Sequence, residues 1–440
     1  MDFLTTPLPE DIRKLIWLGM FEQARNSIKE RMKKPIPKEM KERLKFELFR
    51  LELLEKSYPY TKDEAVKLFK KLFKGVKKSD FENLLKNGYL DFRYINGEIK
   101  FQERFHYNIG FSLEEYSKKQ KVDPERKKIR KLTNESVERL LNTKEPKKYF
   151  VKARVSIKRK KPLNEKVFVW LPFPLEKYQQ NNVKLIKTSH DYKLASSKSL
   201  QRTVYMEGKD TDEFWIEFSY IVSEWIKEKF KFFKPLPTKK DLSEKSPHIL
   251  FTPYLQKVLN KILKGTNKDN DYEIARKIYD FLTLNVRYSY VLPYALYDNI
   301  PEYVTTVFRG DCGFYASTFI TLCRMAGIPA KWQSGWFVTP LGASPHDWAL
   351  IYLKDSGWVP ADLSFGSSRR NNEEMRQFYF TNLDGYRMFA NLDFQASFSP
   401  KKKYFRNDPY DNQIGEMESE HSYIIDTESK IEILTFEEIK

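Results

Sequence analysis

The chain has 440 residues, about three times the usual length of a domain, so we expect two or three domains. Hydrophobic residues make up 41% of it and aromatic residues 15%, which provides apolar material for buried cores and excludes an intrinsically disordered chain. The formal net charge is +18. Such a surplus attracts nucleic acid, anionic lipid or acidic protein, but the basic residues are scattered, which favours a solvated lysine-rich surface.

Residues 1–145 are predicted to form a mainly helical accessory domain, because apolar residues recur at helical spacing, for example from Leu44 to Leu54. Thr61-Lys62-Asp63-Glu64 is a capping box that begins one of these helices. Asn96-Gly97 lies within an alternating run and predicts a two-residue hairpin turn. Helices followed by a hairpin also fit a winged-helix DNA-binding domain, and we favour the accessory domain.

Residues 146–240 change to a period of two, which is typical of strands. The strand candidates are 151–157, 167–171, 203–206 and 214–222. Short strands at this spacing predict an antiparallel β-sandwich. A polar run with Pro235, Pro237 and Pro247 then marks a boundary before a third domain over 250–440.

The chain contains two cysteines, Cys312 and Cys323, and we expect both to be free thiols. If they lie on one helix, eleven positions separate them by roughly 16 Å, which is beyond the reach of a disulfide. Gly310 and Gly313 flank Cys312 at the predicted start of a buried helix. The partial positive charge of a helix N-terminus is expected to lower the pKa of Cys312, whereas Cys323 is expected to be an inert core thiol.

A histidine and an aspartate follow on a predicted hairpin. His346 begins the strand that runs to Leu353, and the returning strand ends at Asp362. The two side chains share a sheet face only if the loop has an odd number of residues, as in a three-residue loop with Gly357 left-handed. We therefore predict a catalytic triad in which Cys312 attacks a carboxamide, His346 protonates the leaving amine and Asp362 orients the imidazole.

Five motifs resemble the core of the transglutaminase-like superfamily over about 270 to 395. They are Gly310-Asp311-Cys312-Gly313, residues 322–330, Ser334-Gly335-Trp336, His346-Asp347-Trp348 and residues 357–362. The resemblance implies an α+β fold with a papain-like transglutaminase core, in which the cysteine helix packs against the sheet that carries the histidine and the aspartate. It also implies a β domain before the core, and Tyr288 becomes a candidate oxyanion donor by family position, with core packing an equally good explanation.

The resemblance implies cysteine-dependent acyl transfer on amide bonds and leaves the reaction open. We expect hydrolysis of peptide or isopeptide bonds by a protease or amidase. The alternatives are a protein-glutamine transglutaminase or deamidase, a non-catalytic interaction module on the same fold, and a nucleic-acid-binding protein that depends on the net charge.

A protein or peptide substrate is the expected partner, without nucleic acid or a membrane span. No metal or cofactor is expected, because the other histidines are isolated. The N-terminus lacks the pattern of a signal peptide, so we expect a cytoplasmic location. A set of tryptophans fits either core packing, which we favour, or a substrate-stacking wall: Trp332, Trp336, Trp348 and Trp358.

Overall fold

The first third of the chain is mainly helical in the computed structural model, which describes residues 2–121, 124–161, 164–209, 213–267, 269–407 and 410–440. Its elements are α1 (Glu10–Trp17), α2 (Phe21–Met32), α3 (Lys38–Lys56), β1 (Tyr60–Thr61), α4 (Lys62–Leu72), α5 (Lys78–Lys86), β2 (Phe92–Ile95), β3 (Glu98–Phe101), α6 (Phe105–Ser112), α7 (Glu114–Lys119) and α8 (Pro124–Thr143). The predicted capping box begins α4, where the Thr61 hydroxyl accepts from the Glu64 N–H and the Glu64 carboxylate accepts from the Thr61 N–H at 2.8 Å.

The predicted hairpin is confirmed. Asn96 and Gly97 connect β2 to β3 with φ values of 49° and 86°, and the strand order is β1-β3-β2. Two helices between β1 and β2 followed by a hairpin correspond to a winged-helix order of elements. The turn contacts the start of the chain, because the Asn96 N–H donates to the Gly19 carbonyl at 2.7 Å and the Asn96 Oδ1 accepts from the Glu22 N–H at 3.0 Å. The hairpin therefore joins α4 and α5 to α1 and α2.

The middle of the chain forms two packed antiparallel sheets, and the predicted strand candidates all lie within them. The strands are β4 (Lys148–Arg159), β5 (Val167–Pro172), β6 (Gln180–Thr188), β7 (Tyr192–Leu194), β8 (Thr203–Gly208) and β9 (Glu213–Ser223). Alternating side chains of both sheets share one apolar core, which includes Val155, Val169 and Phe218. This packing is that of a β-sandwich.

The end of the chain completes the same sandwich. Its strands are β16 (Glu416–Ser419), β17 (Tyr423–Ile424) and β18 (Thr427–Ile439). The sheet orders are β17-β16-β5-β8-β7 and β18-β4-β9-β6, so β16 and β18 pair with β5 and β4. The sequence analysis assigned these strands to the third predicted domain, 250–440. In the structure they pair with strands of the predicted sandwich domain. Pairing between strands more than 200 residues apart leaves no local signal in the sequence.

The remaining segment forms a mixed core around one sheet. Its elements are α9 (Pro253–Ile262), α10 (Asp271–Asn285), β10 (Arg287–Tyr288), α11 (Ile300–Val307), β11 (Arg309–Gly310), α12 (Cys312–Met325), β12 (Ala330–Thr339), β13 (Gly342–Leu353), β14 (Gly357–Ala361), α13 (Leu363–Ser367), α14 (Glu373–Phe378) and β15 (Arg387–Asn391). The sheet order is β14-β13-β12-β15. Helix α12 packs on one face, where Phe319 shares a core with Trp332 and Ala349. The molecule thus has the predicted α+β fold.

Within the described ranges, no helix is both long enough and apolar enough to span a bilayer.

Candidate active site

Helix α12 begins at Cys312, as the flanking glycines predicted. Asp311 caps the helix, because its Oδ1 accepts from the Phe314 N–H at 3.1 Å and from the Tyr294 hydroxyl at 2.7 Å. A Cβ on Gly313 would lie 2.0 Å from the Tyr294 hydroxyl oxygen, so only glycine permits this close approach. Cys312 is half-buried, Cys323 is fully buried, and both are free thiols.

His346 and Asp362 lie on neighbouring strands and in direct contact. Leu353 pairs with Gly357, so the loop between β13 and β14 has three residues, and Gly357 has a φ of 70°. This odd loop places both side chains on one face of the sheet. The distance from His346 Nε2 to Asp362 Oδ2 is 2.7 Å.

An arginine that the sequence analysis missed completes the surroundings of Asp362. Arg387 Nη2 donates to Asp362 Oδ2 at 2.7 Å, and its Nη1 donates to Asp384 Oδ1 at 2.9 Å, with all three side chains buried. Burial raises the pKa of Asp362, but the charges of His346 and Arg387 outweigh it and hold that pKa well below its usual range. Asp362 is therefore ionised at neutral pH.

The imidazole of His346 is held between aromatic rings. It stacks on Trp348 with ring centroids 5.6 Å apart and meets Phe365 edge to face at 5.0 Å. Its Nδ1 makes no hydrogen bond to any residue that the structure describes. With Nε2 occupied by Asp362, Nδ1 is the nitrogen left for a thiol.

The sulfur of Cys312 contacts the residue after the histidine. Its Sγ donates to Asp347 Oδ2 at 3.2 Å, and within the described part of the chain no hydrogen bond joins it to His346. Successive strand residues point to opposite faces, so Asp347 faces α12 while His346 faces the other side of β13. The structure thus brings together His346 and Asp362, and places Cys312 against Asp347.

The electrostatics of this arrangement differ from the expected lowering of the thiol pKa. Burial, followed by the charges of Asp347 and Asp311, raises the pKa of Cys312 well above its usual value. Burial and the two carboxyl groups therefore favour the protonated thiol. In the arrangement described here Cys312 is a protonated thiol.

Three further residues near the sulfur were missed by the sequence analysis. Gln413 Nε2 donates to Asp347 Oδ1 at 2.5 Å and to Asp411 Oδ2 at 3.2 Å. Asp347 could have been recognised as a carboxyl group at a helix-facing position of an apolar strand. Asp411 and Gln413 had no such signal, because they come from a segment without regular structure.

Tyr288 lies close enough to Cys312 for the two groups to interact electrostatically. Burial raises the pKa of Tyr288 well above its usual value, and a negative charge on Cys312 would raise it further. The half-buried ring packs edge to face on Phe111 at 5.4 Å, and its hydroxyl makes no hydrogen bond to a described residue. Tyr288 therefore lies beside the thiol with a free donor.

The tryptophan set is part of the core, as favoured. Each side chain is at most 1% exposed, which leaves no ring face for a substrate: Trp332, Trp336, Trp348 and Trp358.

The site thus combines a cysteine at the start of a buried helix with a histidine–aspartate pair on a neighbouring sheet, in an α+β fold. Residues 259–363 match the family model of the transglutaminase-like superfamily. The predicted resemblance to this superfamily is thus confirmed over these residues. The superfamily is one of cysteine-dependent hydrolases and acyltransferases.

Solved structures give weaker likenesses. A candidate cysteine protease from Cytophaga hutchinsonii is 13% identical, with 67% of this chain and 92% of that chain covered and a TM-score of 0.43. The periplasmic domain of TgpA from Pseudomonas aeruginosa is 11% identical, with 54% and 94% covered and a TM-score of 0.29. Likenesses this distant say nothing about the reaction. No curated protein matches this chain in sequence.

Proposed function

We propose that the protein is a cysteine-dependent enzyme that transfers acyl groups from amide bonds through the triad Cys312, His346 and Asp362. The observation that carries the proposal is the 2.7 Å contact between His346 Nε2 and Asp362 Oδ2, which leaves Nδ1 for the thiol. A buried carboxylate at this position fixes the imidazole and stabilises its positive charge. A half-buried cysteine at the start of α12 supplies the nucleophile.

The proposed reaction has two steps. The Cys312 sulfur attacks the amide carbonyl after its proton has passed to His346, and the C–N bond breaks as the imidazolium returns that proton to the leaving amine. Water then attacks the thioester, which releases a carboxylic acid and regenerates the thiol. Tyr288 is suited to donate a hydrogen bond to the carbonyl oxygen as negative charge develops there.

The sulfur must first leave Asp347. A change of rotamer about the Cα–Cβ bond moves a cysteine sulfur by about 3 Å, so a side-chain rotation is enough to break that hydrogen bond. We expect substrate binding to favour the rotated form. The proposed function therefore requires an attacking state in which the Cys312 sulfur and the His346 ring, which face opposite sides of β13 in the resting state, come into contact.

Hydrolysis of peptide or isopeptide bonds is the proposed reaction, because water is available at any half-buried site and transamidation requires a dry amine channel. The test is a set of quenched peptides and isopeptides, offered with and without a primary amine. We expect cleavage in wild type and loss of at least a hundredfold of activity in Cys312→Ala and in His346→Gln. Incorporation of the amine in place of cleavage would assign a transglutaminase.

A non-catalytic module on the same fold is the second candidate, and the Cys312–Asp347 hydrogen bond favours it, since it holds the thiol protonated. This candidate predicts no turnover of any peptide and no loss of partner binding in Cys312→Ala. Cleavage that depends on Cys312 would rule it out.

A further inference from the structure

Asp347 connects the thiol to a second buried carboxyl group. One of its oxygens accepts from Cys312 Sγ at 3.2 Å and the other from Gln413 Nε2 at 2.5 Å. The same Gln413 nitrogen lies 3.2 Å from Asp411 Oδ2. The Asp411 oxygen also accepts from the Ser334 hydroxyl and, at 3.2 Å, from Trp332 Nε1. A continuous network of hydrogen bonds thus extends from the sulfur to Asp411.

The two carboxyl groups share one environment. Asp347 is 6% exposed and Asp411 is 4% exposed, and neither forms an ion pair in the part of the chain that the structure describes. Two adjacent carboxylates without a cation cannot both ionise near neutral pH, so Asp347 and Asp411 share one proton, and each is ionised in part of the molecules. Burial and the charge of Asp411 raise the pKa of Asp347 well above its usual value, and burial raises that of Asp411.

We propose that Asp347 is a positioning residue whose protonation state, set by its pairing with Asp411, decides whether Cys312 rests as a thiol or is available as a thiolate. This inference rests on the proposed function, because it concerns the nucleophile of the triad. When Asp347 is ionised, it accepts the S–H and holds the sulfur away from His346. When Asp347 is protonated, its O–H donates to the sulfur and stabilises the thiolate.

The groups around Asp347 all bear on its titration. From α12, Asp311 faces it, and burial raises the pKa of Asp311 to about 6. The tyrosines Tyr288 and Tyr294 border the same space, and His346 lies across β13. The cations are more distant: Arg406 donates to the Asp411 backbone carbonyl at 2.7 Å, and Arg104 interacts with Asp311. Raising the pH therefore adds negative charge around the sulfur.

The test is the pH dependence of Cys312 alkylation in the full chain, measured by mass spectrometry with iodoacetamide between pH 5 and 10. We expect Asp347→Asn to react at least twofold faster at pH 7, with its midpoint at least one pH unit lower, because the ionised form of Asp347, which opposes the thiolate, is absent. Cys323 is fully buried and serves as the internal control for folding.

Asp411→Asn gives the opposite expectation. Without a charged neighbour, Asp347 ionises at a lower pH and retains the thiol proton, so alkylation at pH 7 becomes slower than in wild type. A purely structural role would loosen the site in both variants and speed up both reactions. If alkylation of Cys323 shows that Asp347→Asn is unfolded, slower alkylation in Asp411→Asn still supports the inference and faster alkylation overturns it. If Asp411→Asn is unfolded, the midpoint of Asp347→Asn decides, because a structural role speeds up alkylation without moving the midpoint to lower pH.

The inference would be overturned if Cys312 alkylation became faster by a similar factor in both variants. It would also be overturned if the pH profiles of both variants superimposed on that of wild type. His346→Gln separates it from the proposed function. Suppose that His346→Gln has the wild-type pH profile of Cys312 alkylation, while the profiles of the Asp347 and Asp411 variants shift in opposite directions. The proposed triad would then be wrong, and the role of the carboxyl pair would stand.

Discussion

At the scale of single residues, Arg387 is the counter-charge for two buried carboxylates, Asp362 and Asp384. Its removal leaves Asp384 without its ion-pair partner and leaves Asp362 with His346 alone. We therefore expect Arg387→Met to lower the free energy of unfolding by roughly 3–5 kcal/mol in urea denaturation. Arg31→Gln, which breaks an exposed ion pair with Asp11, is the control and is expected to cost less than about 1 kcal/mol. Equal losses in the two variants would contradict this role of Arg387.

The pH dependence of stability follows from Asp362. Its pKa is held below the value of about 3.9 that it has in an unfolded chain, so the ionised form contributes stability above that pH. The contribution is lost progressively as the pH falls below about 3.9 toward the lower folded pKa. We expect Asp362→Asn to be destabilised at pH 7 and to lose less further stability than wild type between pH 5 and 3, as measured by urea unfolding at each pH. If the free energy of unfolding fell by the same amount in wild type and in Asp362→Asn over this pH range, the lowered pKa of Asp362 would be contradicted.

At the scale of an element, the β13–β14 hairpin depends on Gly357. Its φ is 70°, and a Cβ there would lie 2.5 Å from the Phe232 carbonyl oxygen, which accepts from the Trp358 N–H. We expect Gly357→Ala to lower the free energy of unfolding by more than Gly75→Ala. Gly75 has a φ of 69° with no atom near its missing Cβ, so its substitution carries only the cost of the backbone conformation, about 1–2 kcal/mol. Equal losses of stability in the two variants, measured by thermal denaturation, would show that the Phe232 backbone moves to accommodate the added methyl group.

Local patterns explain why much of this element could be predicted from the sequence. The three-residue loop with a left-handed Gly357 and the alternation along the strands together placed His346 and Asp362 on one face. The same alternation places Asp347 toward α12, and this consequence was missed. The pKa of Cys312 could not be predicted, because Asp347 approaches the sulfur, and Asp411 approaches Asp347, only in three dimensions.

At the scale of the whole molecule, the N-terminal region docks beside the site. Asn108 is 1% exposed, donates to Asp91 at 2.8 Å and to the Tyr290 carbonyl at 3.0 Å, and accepts from the Tyr290 N–H at 2.8 Å. We expect Asn108→Ala to leave these groups unpaired, to cost about 1–3 kcal/mol and to speed hydrogen exchange at the Tyr290 amide.

The control for this contact is Asn87→Ala, since Asn87 is exposed and bonds only its own helix, at the Asn83 carbonyl. Unchanged exchange at Tyr290 in the Asn108 variant would show that the docking does not depend on this residue. Contacts of this kind, like the pairing of β18 with β4, join distant parts of the chain. The sequence therefore predicted the types of element well, but it did not predict how the ends of the chain meet.

The most direct test of the triad is capture of its covalent intermediate. The full chain is incubated with a library of peptide amides, quenched in acid within milliseconds to seconds, and analysed by peptide mapping. We expect an acyl group on Cys312 in wild type, none in Cys312→Ala, and formation at least a hundredfold slower in His346→Gln. An adduct on Cys323, or one that forms on Cys312 at the wild-type rate without His346, would contradict the proposed triad.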